Sequence, residues 1–414
     1  MADVLTGRAA WLGLRRAGRT SANGSCRLLP AADGWVAVNL ARPSDVEAVP
    51  ALIERSVDGD PWAALARAVA GLPAAAVVER AGLLGLPVAA LPADRAEGSG
   101  AEAGPSAEPG PVGTGPDEPG PFRAFRRGEA RAGGTWPAGG PDGARPLVVD
   151  LSSMWAGPLC ARLLGRAGLR VVKVESTARP DGARAGDARF YAWLHAGHES
   201  VALDLAQESG RRALRDLVGW ADVVLESSRP RALAQLGVEA ERVVAARPGV
   251  TWVSITGYGR EQPGAGRVAF GDDAAVAAGL VARDDRGEPV FCADAVADPI
   301  TGLYAAVGAL ASQAVGGGHL LEVAMVEAAR FAAATPARPV AAVEAGPGRW
   351  VVPGAAGSPS QPVVPPAPPR LDPGALDAVR PLGADTGRLL AELRSPAAPL
   401  GGRRERGTAG GGGC

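Results

Sequence analysis

Between Val290 and Ala329 the chain reads VFCADAVADPITGLYAAVGALASQAVGGGHLLEVAMVEAA, with Asp298 at its centre. Asp298 stands directly before Pro299 and a long alanine-rich apolar run. Aspartate, then proline, then such a run predicts a helix with Asp298 as its side-chain cap and Pro299 as its first residue. Free backbone N–H groups and the positive end of the helix dipole collect at that point, and both keep a carboxylate ionised. Two chemistries fit: a structural cap, or a carboxylate poised as a nucleophile. On the local pattern alone the cap is the plainer reading. Gly316, Gly317 and Gly318 end the helix, His319–Val323 reads as a short buried strand, and a second helix starts near Met325.

The other polar residues that invite a functional reading have simpler ones. Asp294, about one helical turn upstream, reads as a loop or capping residue. His195 and His198 lack cysteine or carboxylate partners at metal-ligand spacing and read as exposed or structural, so no metal is expected. Asp272 and Asp273 are adjacent and point in different directions, which suits a turn or helix cap better than a metal site. His319 lies in an apolar strand, and Trp155 reads as packing.

The elements that must carry Asp298 are legible from pattern. Leu147–Leu151 (LVVDL), helix 157–167 and Arg170–Glu175 (RVVKVE) form a βαβ unit whose strands are apolar on both faces, as in a buried parallel sheet. The alternation continues through SVALDL, helix 208–219, ADVVLE, helix 230–236 and VTWVSIT. The expected fold class is α/β, a doubly wound, mostly parallel sheet domain over 144–335, with ligands at the C-terminal ends of the strands. No GxGxxG follows the first strand, so a dinucleotide fingerprint is absent.

Before it, residues 1–95 read as a small α+β domain. Two apolar runs around Asp33-Gly34 predict a hairpin, and Ser44–Glu47 forms a capping box opening a helix to about Arg55. Helices 61–70 and 74–84 and a strand 86–91 follow. Residues 96–143 are rich in Gly, Pro and Ala and read as a disordered linker, the part after Gly120 included. Residues 336–414 read as a Pro-rich segment, extended or disordered over 353–373, a returning helix near 382–394 and a flexible tail.

Composition narrows the partners. The 414 residues carry a formal charge of −1, without a basic stripe interleaved with aromatics, so no nucleic acid is expected. No apolar run reaches the ~18 residues of a membrane span, and the start has no signal-peptide core. Cys26, Cys160, Cys292 and Cys414 are scattered, which suits reduced thiols and a cytoplasmic location. Lys173 is the only lysine, which reads, with the alanine excess, as coding bias.

Several blocks together resemble the family III (CaiB/BaiF-type) coenzyme A transferases. They are VVDLSSMWAGPLCARLLGRAGLRVVKVE, SVALDL with ADVVLESSRPRALAQLG, VTWVSITGYG, the DPITGLYAAVGALAS segment with HLLEVAMVEAA, and the closing LGADTGRLLAELR. DGWVAVNLA and GLLGLPVAAL resemble the family's small domain, which here comes first rather than within the C-terminal half. The resemblance implies that Asp298 is the catalytic carboxylate. It implies that the turn Met154–Gly157, Trp155 and Ala156 above all, lines the thiol end of CoA, and that Leu203, Ser227, Ser228, Ala232 and Gln235 contact CoA. It further implies an interlocked homodimer, acyl-CoA and a carboxylic acid acceptor as substrates, and no permanently bound cofactor. Departures are equally specific. The family's R-G-K-R-S reads Ala196–Ser200 here, its E-N-F-R-P-G reads Glu226–Arg231, and Ser176 and Gln235 stand where a base is common. The loss of these basic residues removes charge-assisted contacts to phosphate.

The implied reaction is acyl-CoA:carboxylate CoA transfer through an aspartyl intermediate on Asp298. One alternative is a 2-methylacyl-CoA racemase-like enzyme, although Asp272 replaces the histidine of that branch's G-H-D segment. The other is a non-catalytic relative that binds CoA esters.

Overall fold

The computed structural model describes residues 2–93, 120–131, 145–334, 342–347, 349–354, 359–363 and 367–394. The chain opens with helix α1 (Ala2–Leu12), followed by the antiparallel hairpin β1 (Cys26–Ala31) and β2 (Gly34–Asn39). The hairpin turn is tied down by Asp33, which accepts from the Ala74 N–H at 2.7 Å. The single helix expected from Ser44 is two short ones, α2 (Pro43–Glu47) and α3 (Val49–Ile53). Pro50 has no N–H to continue the first ladder, and Asp45, not Glu47, closes the start by accepting from Arg42 N at 2.8 Å. Helices α4 (Pro61–Val69) and α5 (Ala74–Leu84) lead to β3 (Val88–Ala90), which pairs with β2. Leu29, Val36, Val38, Leu52, Leu65, Val77 and Val88 make the core between this sheet and its helices. Each fully buried aliphatic side chain there contributes about 1.5–3 kcal/mol.

The stretch after Gly120, expected to be loose, contains a strand. Here β4 (Arg123–Arg126) pairs antiparallel with His319–Glu322. Phe122 enters the core and Phe125 packs on the opposite face, and two aromatics suffice to anchor a short edge strand in an Arg/Gly-rich context. The rest of the linker, 96–119 and 132–143, lies outside the described residues.

The α/β alternation then proceeds as the pattern demanded: β5 (Leu147–Leu151), α6 (Ala156–Arg166), β6 (Arg170–Ser176), α7 (Ala188–His195), β7 (Glu199–Leu203), α8 (Glu208–Trp220), β8 (Val223–Glu226), α9 (Pro230–Gln235), α10 (Ala240–Ala246), β9 (Thr251–Thr256), α11 (Gly271–Ala277), the small ribbon β10 (Val281–Arg283) and β11 (Pro289–Phe291), α12 (Ala297–Ala314), β12 (His319–Ala324) and α13 (Met325–Ala334). The seven-stranded sheet has the order β4-β12-β9-β8-β5-β6-β7, parallel throughout except for β4. Alternating residues feed two cores. Val148, Val171, Val223 and Val253 face α6, α12 and α13, while Val149, Val172, Val224 and Trp252 face α8 and α10. This is the doubly wound α/β arrangement with helices on both faces.

Among the described C-terminal residues a small antiparallel sheet forms, β13 (Val343–Gly346), β14 (Arg349–Val352) and β15 (Gln361–Pro362). Helix α14 (Thr386–Arg394) returns to the large sheet, four residues shorter at its start than expected. Those four residues form a turn that grips β7. The Ser200 N–H donates to Asp385 at 2.9 Å and the Ala202 N–H to Thr386 Oγ1 at 3.0 Å. No helix among the described residues is long and apolar enough to cross a membrane.

Candidate active site

Helix α12 begins at Ala297, two residues earlier than the sequence suggested. Asp298 is its second residue, and its N–H donates to the Ala295 carbonyl at 2.9 Å, so it belongs to the first turn rather than capping it. Its side chain makes no capping hydrogen bond. The free N–H groups expected at this helix start are largely spent: Pro299 has none, and Ile300 N–H reaches the Val296 carbonyl.

Three elements converge on this carboxylate. From α11, Asp272 accepts from Ala295 N at 2.9 Å and from Asn23 Nδ2 at 3.0 Å. Asp273 next to it accepts from Asn39 Nδ2 and Phe270 N, each at 3.0 Å. Gly271 has to be glycine: a Cβ there would overlap both the Ala295 carbonyl and Asp298 Oδ2. From the N-terminus, Arg8 Nη1 donates to both oxygens of Asp294, at 2.7 and 2.6 Å. Its guanidinium lies 5.4 Å from the Trp155 ring and 5.6 Å from that of Phe190. From the first βα turn, Trp155 and Ala156 are buried at the start of α6, which packs tightly on α12. A Cβ at Gly302 would come within 2.6 Å of the Ala156 carbonyl.

Backbone strain gathers here as well. Of the four non-glycine residues with positive φ among those described, Met154 (71°), Ala293 (58°) and Ala295 (44°) flank this site, and only Glu54 lies elsewhere. Such conformations cost on the order of 1 kcal/mol each and persist only where surrounding contacts hold them. Asp181 holds the first, accepting from Met154 N at 3.0 Å.

The electrostatics reverse the expectation that the helix start keeps Asp298 fully ionised. Burial, and next Asp272, push its carboxyl up to about 7; Arg8 opposes them and Asp273 and Asp294 add to them. Burial likewise raises Asp272 to about 6 and Asp273 to about 7. A carboxyl whose folded pKa exceeds its unfolded value favours folding when protonated. That contribution is complete below about 3.8 and is lost as the pH rises through about 7. For Asp273 the interval corresponds to at most ~4 kcal/mol. Neither Asp273 Oδ2 nor Asn39 Oδ1 has a hydrogen-bond partner, so an amide at 273 would keep the acceptor and gain a donor. Asp273→Asn is therefore expected to stabilise the protein by about 1–2 kcal/mol at pH 8 and by little at pH 4. Urea unfolding at the two pH values checks this; an equal effect at both would refute it.

The remaining sequence-derived residues divide. Ser227 joins the first βα turn, accepting from Ser153 N at 3.2 Å, and Ser228 donates to Glu226 at 3.2 Å. Leu203 is buried in the core on the α8 and α10 side of the sheet. Ala232 and the exposed Gln235 lie on α9, beyond the end of β8. The site thus draws Trp155 and Ala156 to Asp298, and leaves Leu203, Ala232 and Gln235 with other neighbours. Asp294 is a buried ion-pair partner rather than a simple cap. Neither His195 nor His198 is exposed; burial lowers both pKa values, that of His198 to about 3. His319 is satisfied by Ser312 Oγ at 2.8 Å. Among the described residues no group of His, Cys, Asp or Glu could hold a metal. Arg8, Asn23 and Asn39 had no signal in the sequence.

A doubly wound α/β domain with a half-buried, strain-flanked carboxylate beside its first βα turn is the class that the fold and site define. The sequence model of CoA-transferase family III matches residues 144–349, and this part of the chain belongs to that family. The mouse succinyl-CoA:glutarate CoA-transferase is 29% identical over 200 residues, 44% of this chain and 46% of that protein. A succinyl-CoA–D-citramalate CoA-transferase from Chloroflexus aurantiacus is 29% identical over 201 residues, 44% of this chain and 50% of its own. The Agrobacterium fabrum succinate–glutarate CoA-transferase is 31% identical over 172 residues, 38% and 43% of the two chains. The chain spans about half the length of these curated relatives. A CaiB/BaiF family protein from Brucella suis aligns with a TM-score of 0.42 at 26% identity, over 50% of this chain and 65% of that one.

Proposed function

We propose that the protein transfers coenzyme A from an acyl-CoA to a carboxylic acid through a covalent intermediate on Asp298. The observation that carries this reading is the half-buried Asp298 carboxylate, its pKa raised to about 7, near the buried Trp155–Ala156 turn within the family-matched segment. Asp298 attacks the thioester carbonyl and expels CoA as thiolate, leaving a mixed anhydride. The thiolate attacks the aspartyl carbonyl, releasing the donor acid and leaving an aspartyl thioester. The acceptor carboxylate attacks that thioester and expels the thiolate again. The thiolate then takes the acyl group from the new anhydride and frees Asp298. A carboxylate is a weak nucleophile in water, and partial desolvation with a raised pKa makes it a stronger one at neutral pH. CoA enters as substrate, with no permanently bound cofactor. Trp155, Ala156, Ser227 and Ser228 are the residues we place along it, with Leu203, Ala232 and Gln235 further out.

Relatives named for succinyl-CoA with glutarate or citramalate make succinyl-CoA the first donor to try, and dicarboxylic acids the first acceptors. The test is mass spectrometry of the purified protein after incubation with a panel of acyl-CoAs, with and without hydroxylamine. A CoA or hydroxamate adduct on the Asp298 peptide is the expected result, and its absence with every ester would remove the proposal. The reading includes a cytoplasmic homodimer, whose mass light scattering would report.

One observation favours a second reading. After burial, Asp272 is the charge that most raises the Asp298 carboxyl, and such a pair of carboxyl groups can move a proton. Deuterium uptake at C2 of a 2-methylacyl-CoA in D2O, without any adduct, would select racemisation.

A further inference from the structure

Helix α1 lies outside the family-matched segment, yet it meets the site directly. It is firmly seated. Val4 and Trp11 pack on the cluster of Trp155, Phe190 and Trp193, and Arg189 Nη2 donates to the Trp11 carbonyl at 2.9 Å. Gly7 fits so closely under Pro369 that a Cβ could not be added. This seating aims Arg8 at Asp294, in the short loop that delivers Asp298 to α12. The two partners stand 286 positions apart, and Asp294 is 1% exposed.

That loop carries Ala293 and Ala295 in left-handed conformations, which a free loop of alanines would abandon. Two contacts oppose the relaxation. Asp272 grips Ala295 N from α11, and Arg8 grips Asp294 from α1. Since the Ala295 carbonyl receives the Asp298 N–H, any relaxation of the loop moves Asp298. The charges facing Arg8 are Asp294 on the loop, Asp272 on α11 and Asp298 on α12, with the Trp155 and Phe190 rings closing the other sides.

We infer that Arg8 is a positioning residue: α1 acts as a latch that holds the strained Ala293–Val296 loop and so sets the place of the Asp298 carboxylate. In its activity arm the inference rests on the transferase reading. In its structural arm it does not. Removal of the one opposing cation also leaves Asp298 more easily protonated.

Hydrogen exchange of the full-length chain tests it, compared among wild type, Arg8→Ala, Arg8→Lys and the charge swap Arg8→Asp with Asp294→Arg. In Arg8→Ala the amides of Ala295 and Asp298 are expected to exchange at least about tenfold faster, with β5, β8 and β9 unchanged. Arg8→Lys and the swap should recover part of the protection. Where transfer activity is present, kcat falls more than KM changes, and the acidic limb of the rate profile moves to higher pH. Wild-type exchange in Arg8→Ala would overturn the inference. So would unchanged protection in Arg8→Lys should Arg8→Ala fail to fold. Faster exchange in a protein that transfers no CoA would keep the latch and sink the transferase reading instead.

Discussion

Asp298→Asn is expected to lower CoA transfer at least ~10³-fold, about 4 kcal/mol of transition-state stabilisation, while leaving the fold intact. Asparagine matches the shape of the side chain beside Gly271 but cannot open a thioester as a nucleophile. It also removes a charge that burial, Asp272, Asp273 and Asp294 all oppose, so the variant should be no less stable than wild type at pH 8. Loss of activity without loss of stability separates this residue from a structural cap, whose removal typically costs ~1 kcal/mol. The wild-type rate should rise with pH through about 7 and level off above it, because only the ionised carboxylate attacks. Substantial turnover in Asp298→Asn, or a rate flat from pH 5 to 9, would end the assignment.

Lys173→Met is expected to destabilise the protein by about 3–5 kcal/mol at pH 8. Lys173 is 2% exposed, and its ammonium lies 3.0 Å from Asp181, 3.8 Å from Asp150 and 2.6 Å from the Ser152 carbonyl. Burial works against its charge, but Asp150 and Asp181 outweigh burial and hold its pKa above the ordinary value. Without it two buried carboxyl groups face each other across the turn that carries Trp155. Protonation of Asp150, whose pKa burial already raises, relieves the conflict, so the penalty should shrink between pH 8 and pH 5. Chemical denaturation at both values measures this; a variant within ~1 kcal/mol of wild type at pH 8 would refute it.

That lysine also shows how a composition argument can miss a site. As the only lysine in an arginine-using chain it reads as coding bias, yet its position demands it. Three acceptors surround a compact ammonium, whose rotatable donors a planar guanidinium does not reproduce. The sheet was legible because runs such as LVVDL and RVVKVE are apolar on both faces, and no local feature competes with that signal. The Asp298 helix was legible from its own apolar run, its start to within two residues. Its electrostatics were not. The helix-dipole rule sees its own helix, whereas Asp272, Asp273 and Arg8 arrive from other elements and burial adds the rest. Arg8 and Asp294 stand 286 positions apart, beyond any periodicity. Strand β4 was hidden because Phe122 and Phe125 are two apolar residues in a stretch whose composition otherwise argues for disorder.

The grip of Asp385 and Thr386 on β7 bears on how molecules of this chain meet. A sheet's outermost strand ordinarily offers a row of unsatisfied amides, an invitation to strand addition and aggregation. Along β7 the amides of Ser200 and Ala202 are already taken by side chains of the returning segment. At the opposite rim stands β4, four residues long and flanked by Arg123 and Arg126. A short, charged margin on one side and an occupied one on the other discourage a second chain from extending the sheet.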